Sequence, residues 1–144
     1  MAGQFKEVFR RKGITALDIR PGDVWTVKDK IINFPEERLP EGFREKHIYR
    51  TVVVVSRLDE CQDNIEYKSI TVIPTSTKCN IKSPTDFSLP QEMGGLKYDS
   101  YARTRMVQPV LKTDLEKKVG SLPTEIFISL KTMLLTHLDF FKKE

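Results

Sequence analysis

Arg50-Thr51-Val52-Val53-Val54-Val55-Ser56 and Ile70-Thr71-Val72-Ile73-Pro74-Thr75-Ser76-Thr77 are the two runs on which the fold turns. Both are dominated by β-branched residues, which suit a pleated strand better than a helix. The unbroken apolar stretch of the first predicts a strand buried on both faces. Arg50 enters the first run, and a hydroxyl cluster of Thr75, Ser76 and Thr77 leaves the second. If the two strands are neighbours, a guanidinium and one or more hydroxyls meet at the edge of a packed core. Such a place can hold a phosphate.

Working outward, Pro21-Gly22-Asp23 reads as a turn and Val24-Trp25-Thr26-Val27 as a first strand. Residues 28–47, with Pro35, Pro40 and Gly42 among many charges, read as a long loop of the kind that is often functional. Asp59 to Asn64 predicts a polar turn, Phe87-Ser88-Leu89 a short strand and Met93-Gly94-Gly95-Leu96 a flexible turn. Residues 100–111 alternate, with Tyr101, Arg103, Arg105 and Val107 on one face. Two arginines cannot both enter an apolar core, so that face is expected to be open or at an interface. Pro109 marks a strand end or an edge, and Glu116 to Leu122 suits a last short strand. Pro123, Thr124 and Glu125 then start a helix whose face is Ile126, Leu130, Met133, Leu134, His137 and Phe141. Residues 1–19 read as an N-terminal extension, with Phe5, Val8 and Phe9 on a short helix ended by Gly13. The expected architecture for residues 20–144 is mainly β, a small, strongly bent antiparallel barrel with a C-terminal helix as cover.

The chain has 144 residues, which suits one domain with a real core. Its net charge of +4 is modest, so distribution matters more than the total. Lys6, Arg10, Arg11 and Lys12 form one basic cluster, and Arg103, Arg105, Lys112, Lys117 and Lys118 another. Either suits a polyanion surface, or simply a solvated face. No apolar run approaches the roughly 20 residues of a membrane helix, and the start lacks an apolar signal core. No membrane association and a cytoplasmic location are the expectations. Cys61 and Cys79 fit no zinc or redox spacing and are expected to stay reduced. A Walker loop, a zinc-binding HExxH, a nucleophile elbow and a carboxylate cluster are all absent from the sequence. Neither a cofactor nor a metal is expected.

Several stretches resemble the PemK/MazF family of toxin endoribonucleases, whose SH3-like barrel is shared with the gyrase poison CcdB. They are Pro21-Gly22-Asp23-Val24-Trp25 for its first strand, Arg50 and the valines for its second, and Pro74-Thr75-Ser76-Thr77 for the end of its third. Gly95-Leu96-Lys97-Tyr98-Asp99-Ser100 is similar to its Gly-Leu-x-x-Asp-Ser turn, and Leu115 through Leu122 with the following helix matches its ending. The resemblance runs in order over about residues 20 to 140. It implies that Arg50 and Ser76 are the catalytic pair, with Thr75 and Thr77 as alternatives, because a one-residue slip flips the face presented. The chain departs from the family at several points. Thr51 stands where proline is usual, and Met106, Val107 and Gln108 replace a Gln-Ile-Arg segment. The 28–47 loop is longer and lacks the usual Gly and Gln residues. Arg103 and Arg105 lie close enough to replace the missing charge.

By that resemblance the chain is a metal-independent endoribonuclease that cuts single-stranded RNA, an mRNA interferase of a toxin–antitoxin system. Its partners would be RNA, a small antitoxin and a second copy of itself. Arg50 would stabilise charge on the phosphorane, because a guanidinium presents a fork of donors to two phosphate oxygens. Ser76 or Thr75 would donate to the same phosphate. Trp25, His47, Thr77, Lys78, Arg103 and Arg105 are the residues expected to contact RNA. Each also has a plainer reading: Arg50 in a salt bridge with Glu45 or Asp99, the hydroxyls as strand-end caps, Trp25 as core, and His47 as an incidental loop residue. His137 is expected to pack in the core or a dimer contact. Two other functions remain open: a binding module of the same fold that has lost cleavage, and a gyrase poison. The ending Phe140-Phe141-Lys142-Lys143-Glu144 lacks the Trp-Gly-Ile type tail of the poison.

Overall fold

The computed structural model describes residues 18–42, 46–63, 66–77 and 83–139. The expected helix over Phe5, Val8 and Phe9, the first basic cluster, Lys78, Cys79 and Phe141 lie outside the described residues. Among the described residues seven strands form one sheet, with every pairing antiparallel. They are β1 (Asp23–Lys28), β2 (Tyr49–Val54), β3 (Ser69–Ser76), β4 (Asp86–Leu89), β5 (Ser100–Arg103), β6 (Gln108–Leu111) and β7 (Lys117–Ser121). Also among the described residues are two α-helices, α1 (Leu58–Gln62) and α2 (Thr124–His137).

The strand order is β4-β5-β3-β2-β1-β7, with β6 also on β3. One side of β3 pairs with β2. The other is shared between β6, along Ser69 to Val72, and β5, along Thr75 and Ser76. Pro74 falls in the gap between those partners. The Thr71 carbonyl accepts from the N–H of Val55, the residue just after β2, so the even-numbered residues of β3 turn their backbone toward β5 and β6. The N–H that proline lacks is therefore missed where no ladder runs. This switch, and an extra residue in β7 between the pairings Val24–Gly120 and Trp25–Lys118, curl the sheet into a half-barrel. The expected bent, mainly β architecture with a C-terminal helix is what the chain adopts.

Both faces of the sheet carry a core. Trp25, Val27, Val52, Val54, Ile70 and Val72 pack on one side with Ile19, Ile32, Phe34 and Leu115. Val24, Val53 and Ile73 pack on the other with Leu96, Leu122, Phe127 and Leu130. The valines of β2 thus alternate between two cores, as an unbroken apolar run requires. Each buried valine contributes about 1.5–3 kcal/mol.

The structure corrects several expectations. The segment after β2 is not a polar turn: Leu58–Gln62 is helical, and it buries Cys61. Five residues are too few to show a helical period. Residues 100–111 are not one alternating strand. Thr104–Met106 is a 3-10 turn that carries the chain from β5 to β6, so Arg103 and Arg105 do not share a strand face. On α2 the buried residues are Phe127 and Leu130, flanked by Ile126 and Leu134. Phe127, passed over in the sequence, lies against Gly22, where an added Cβ would sit 3.2 Å from the ring. Lys112 is not part of a basic surface, because it is fully buried and donates from Nζ to the Asp63 carbonyl at 2.7 Å.

Two consequences can be measured. Gly95 has φ of 83°, and a Cβ there would meet the Val119 carbonyl oxygen at 2.4 Å. Gly95→Ala is expected to destabilise by at least about 2 kcal/mol, from left-handed strain plus displaced backbone. An unchanged denaturation midpoint would contradict it. Burial pushes the Cys61 thiol from 9.0 up to about 11, against the opposing pull of Lys112. Between those values the unfolded chain loses a proton that the folded protein keeps. Stability therefore falls as pH rises through that interval. Cys61→Ala removes this term while Lys112, whose ammonium burial disfavours, remains in both proteins. Urea titrations between pH 9 and about 11 should show a shallower decline for Cys61→Ala than for the unsubstituted protein.

Candidate active site

Antiparallel pairing brings the start of β2 to the end of β3. The backbone ladder between them stops at Val52–Pro74. One residue further, side chains take over its role. Thr75 Oγ1 donates to the Thr51 carbonyl at 3.2 Å and shares a hydrogen bond with Thr51 Oγ1. Arg50 Nη1 donates to the Thr75 carbonyl at 2.7 Å and to Ser76 Oγ at 3.3 Å. The cation that enters the first apolar run and the hydroxyls that leave the second do meet.

The register also separates the candidate hydroxyls. Arg50 and Ser76 lie on one side of the strands, and Thr51 and Thr75 on the other. Among the described residues Ser76 Oγ accepts from Arg50 and makes no further hydrogen bond, whereas the Thr75 hydroxyl is committed to Thr51. Thr75 is 2% exposed and Ser76 half-buried.

Arg50 itself is largely enclosed. Asp99 is not its partner. Arg50 Nε donates to Asp29 Oδ1 at 2.7 Å, and Nη2 approaches Oδ2 at 3.5 Å. Asp99 instead accepts the Gln91 backbone N–H at 2.7 Å, and Glu45 lies outside the described residues. Arg50 also lies 4.9 Å from the centroid of Phe34, and Arg103 lies 5.7 Å from that same ring. Both contacts are in the range of cation–π attraction. The long segment after β1 is therefore more than a polar loop. Its first part runs through 3-10 turns at Asp29–Ile31 and Pro35–Arg38, and buries Asp29, Ile32 and Phe34. The Gln108 amide clamps it at Asn33, accepting from its N–H at 2.9 Å and donating to its carbonyl at 3.0 Å.

Beside this cluster opens a cleft of about 650 Å³. Thr26, Thr51, Thr75 and Thr77 line it, with the basic residues Arg50, His47, Lys97 and Lys117 against one acid, Glu116. Tyr49 and Tyr98 line it too, and both are exposed. Neither tyrosine was singled out in the sequence. Tyr98 was legible only as a variable position in the Gly-Leu-x-x-Asp-Ser turn, and Tyr49 as the neighbour of Arg50.

Of the residues expected to contact RNA, His47 and Thr77 line the cleft. Trp25 does not. It is 2% exposed in the first core, its indole N–H aimed at Asp23 Oδ2 at 3.4 Å, so it cannot stack on a base. Arg103 pairs with Asp86 at 3.2 Å, and Arg105 is exposed on the 3-10 turn. His137 leaves its Nδ1 buried on α2, away from the cleft residues.

The structure is thus a curled antiparallel sheet with a C-terminal helix, with a guanidinium beside hydroxyls where β2 begins and β3 ends. Residues 20–138 match the model of the PemK-like, MazF-like toxins of type II toxin–antitoxin systems, and the chain belongs to that family. Its fold is that of an endoribonuclease from a Mycobacterial species solved with its cognate antitoxin: TM-score 0.58 at 14% identity, covering 87% of this chain and 97% of the other. It is equally that of MazF from Deinococcus radiodurans, with TM-score 0.56 at 16% identity over 84% and 96% of the two chains. A MazE–MazF complex from the same organism aligns at TM-score 0.56 and 12% identity, over 83% and 94%. No curated protein sequence matches the chain. Among the described residues no helix is long and apolar enough to cross a membrane.

Proposed function

We propose that the protein is an endoribonuclease that cuts single-stranded RNA without a metal, by attack of the RNA's own 2′-hydroxyl on the adjacent phosphate. The observation that carries this is the Arg50–Ser76 contact of 3.3 Å, made by an arginine that lines the cleft. The 2′-oxygen bonds to phosphorus as the bond to the 5′-oxygen breaks, leaving a cyclic phosphate and a free 5′-hydroxyl. Charge accumulates on the phosphoryl oxygens, and a fixed guanidinium stabilises it most where water is excluded. The Ser76 hydroxyl, whose proton no described residue accepts, donates to the same phosphate. His47, on the cleft wall, is the group suited to moving a proton. Tyr49 and Tyr98 offer faces to unpaired bases, which a duplex would not expose. By family membership, an antitoxin and a second copy of the chain are the proposed partners.

A second reading is favoured by one observation. Arg50 already bonds Asp29 and the Thr75 carbonyl, so the cleft could hold RNA without cutting it. Incubating the protein with a long single-stranded RNA in EDTA separates the two. Discrete fragments with cyclic-phosphate ends, reduced strongly with Arg50→Met and also reduced with Ser76→Ala, the latter at an unchanged melting temperature, support cleavage. Bound but intact RNA supports the second reading.

A further inference from the structure

Asp29 holds two things at once. Its carboxylate accepts from Arg50 Nε at 2.7 Å through Oδ1, and from the His47 backbone N–H at 2.8 Å through Oδ2. Its own N–H donates to the Ile48 carbonyl at 3.1 Å. It is 2% exposed, with no solvent to replace any of these partners. One buried carboxylate therefore closes the base of the segment between β1 and β2 and sets the plane of the guanidinium at the head of β2. Nothing in the local sequence demands an acid there. It follows β1 directly, in a 3-10 turn, at a point where a polar loop would ordinarily face water.

From this geometry we infer that Asp29 is a positioning residue for RNA cleavage, acting through Arg50. The inference rests on the cleavage reading above. A guanidinium on a long side chain has several rotamers, and a carboxylate gripping its Nε edge leaves one. That grip turns Nη1 toward Ser76 at the end of β3. Phe34 flanks the same guanidinium at 4.9 Å and limits its tilt. A second task follows from the His47 bond. The peptide that carries His47 to the cleft wall is tied to the same carboxylate, so the guanidinium and the His47 backbone share one anchor. The pair carries no net charge, which favours a role in orientation rather than in attracting the polyanion.

Asp29→Asn is the informative change, because it keeps the shape. A carboxylate accepts at both oxygens, whereas an amide accepts at one and donates at the other. It cannot serve Arg50 Nε and the His47 N–H together. The assay is single-turnover cleavage of an RNA, beside binding of the same RNA carrying 2′-deoxyribose at the cut site, which cannot react. The expected result is a cleavage rate roughly a hundredfold lower, the size of effect that misplacing a reacting group produces, with RNA affinity within a factor of about two. In the Arg50→Met background Asp29→Asn should lower the residual rate no further, because it acts through the residue already removed. A merely structural role for Asp29 would weaken binding and rate together, and would add to Arg50→Met; either result overturns the inference. If the unsubstituted protein cleaves and Asp29→Asn cleaves equally well, the inference fails and the cleavage reading stands. If the unsubstituted protein does not cleave, both fall.

Discussion

Arg50→Met is expected to be the most damaging single change in the site, for two separable reasons. The first is stability. Asp29 and Arg50 have side chains only 3% and 7% exposed, and removing one partner leaves the other charge buried. That costs about 3–5 kcal/mol in comparable pairs, a large share of a small domain's stability. The second is chemistry. If the guanidinium stabilises the phosphorane, its loss should lower cleavage roughly a hundredfold or more. Adding Asp29→Asn to Arg50→Met tells the two apart. Neutralising the buried Asp29 carboxylate should recover much of the stability, seen as a recovered denaturation midpoint. Cleavage should not return. A double variant that is stable and cuts RNA at the original rate would remove Arg50 from the reaction.

Trp25→Ala should be the most destabilising change away from the site, by about 3–5 kcal/mol. The indole is packed between β1 and the first core, beside Val27, Val52 and Ile32. Because the ring is buried, it has no surface to offer a base. Trp25→Phe, which keeps most of the ring volume, should fold, lower the melting temperature by a few degrees and leave RNA affinity unchanged. A folded Trp25→Phe with RNA binding weakened tenfold would place the ring in the site after all.

Trp25 illustrates why the candidate site was only partly readable. A tryptophan in a first strand suits either a core or a stacking platform, and strand alternation alone does not say which face is covered. The covering elements are Ile32 and Phe34, from a segment whose sequence looks like solvated loop. Arg103 and Arg105 failed for a related reason. Their alternation reads as one strand, but Thr104–Met106 breaks it, and β3 exchanges one neighbour for another there. Lys112 was counted with the basic surface because its residue type is normally exposed; only the three-dimensional course of the α1–β3 connection brings the Asp63 carbonyl to it.

The strands that carry the site and the residues at their ends were legible in the chain alone. Those are encoded by short-range chemistry: β-branched runs, a proline, a cation, a hydroxyl cluster, and the period of the last helix. Tertiary structure decided everything that depends on what crosses the gap between segments distant in the chain. It chose Asp29 rather than Asp99 to grip Arg50, put Ser76 and not Thr75 on the guanidinium's side, closed Trp25 into the core, and set Tyr49 and Tyr98 around one cleft. The physical reason is the same in each case. A charge or a ring is assigned its role by what packs against it, and residues tens of positions away do that packing.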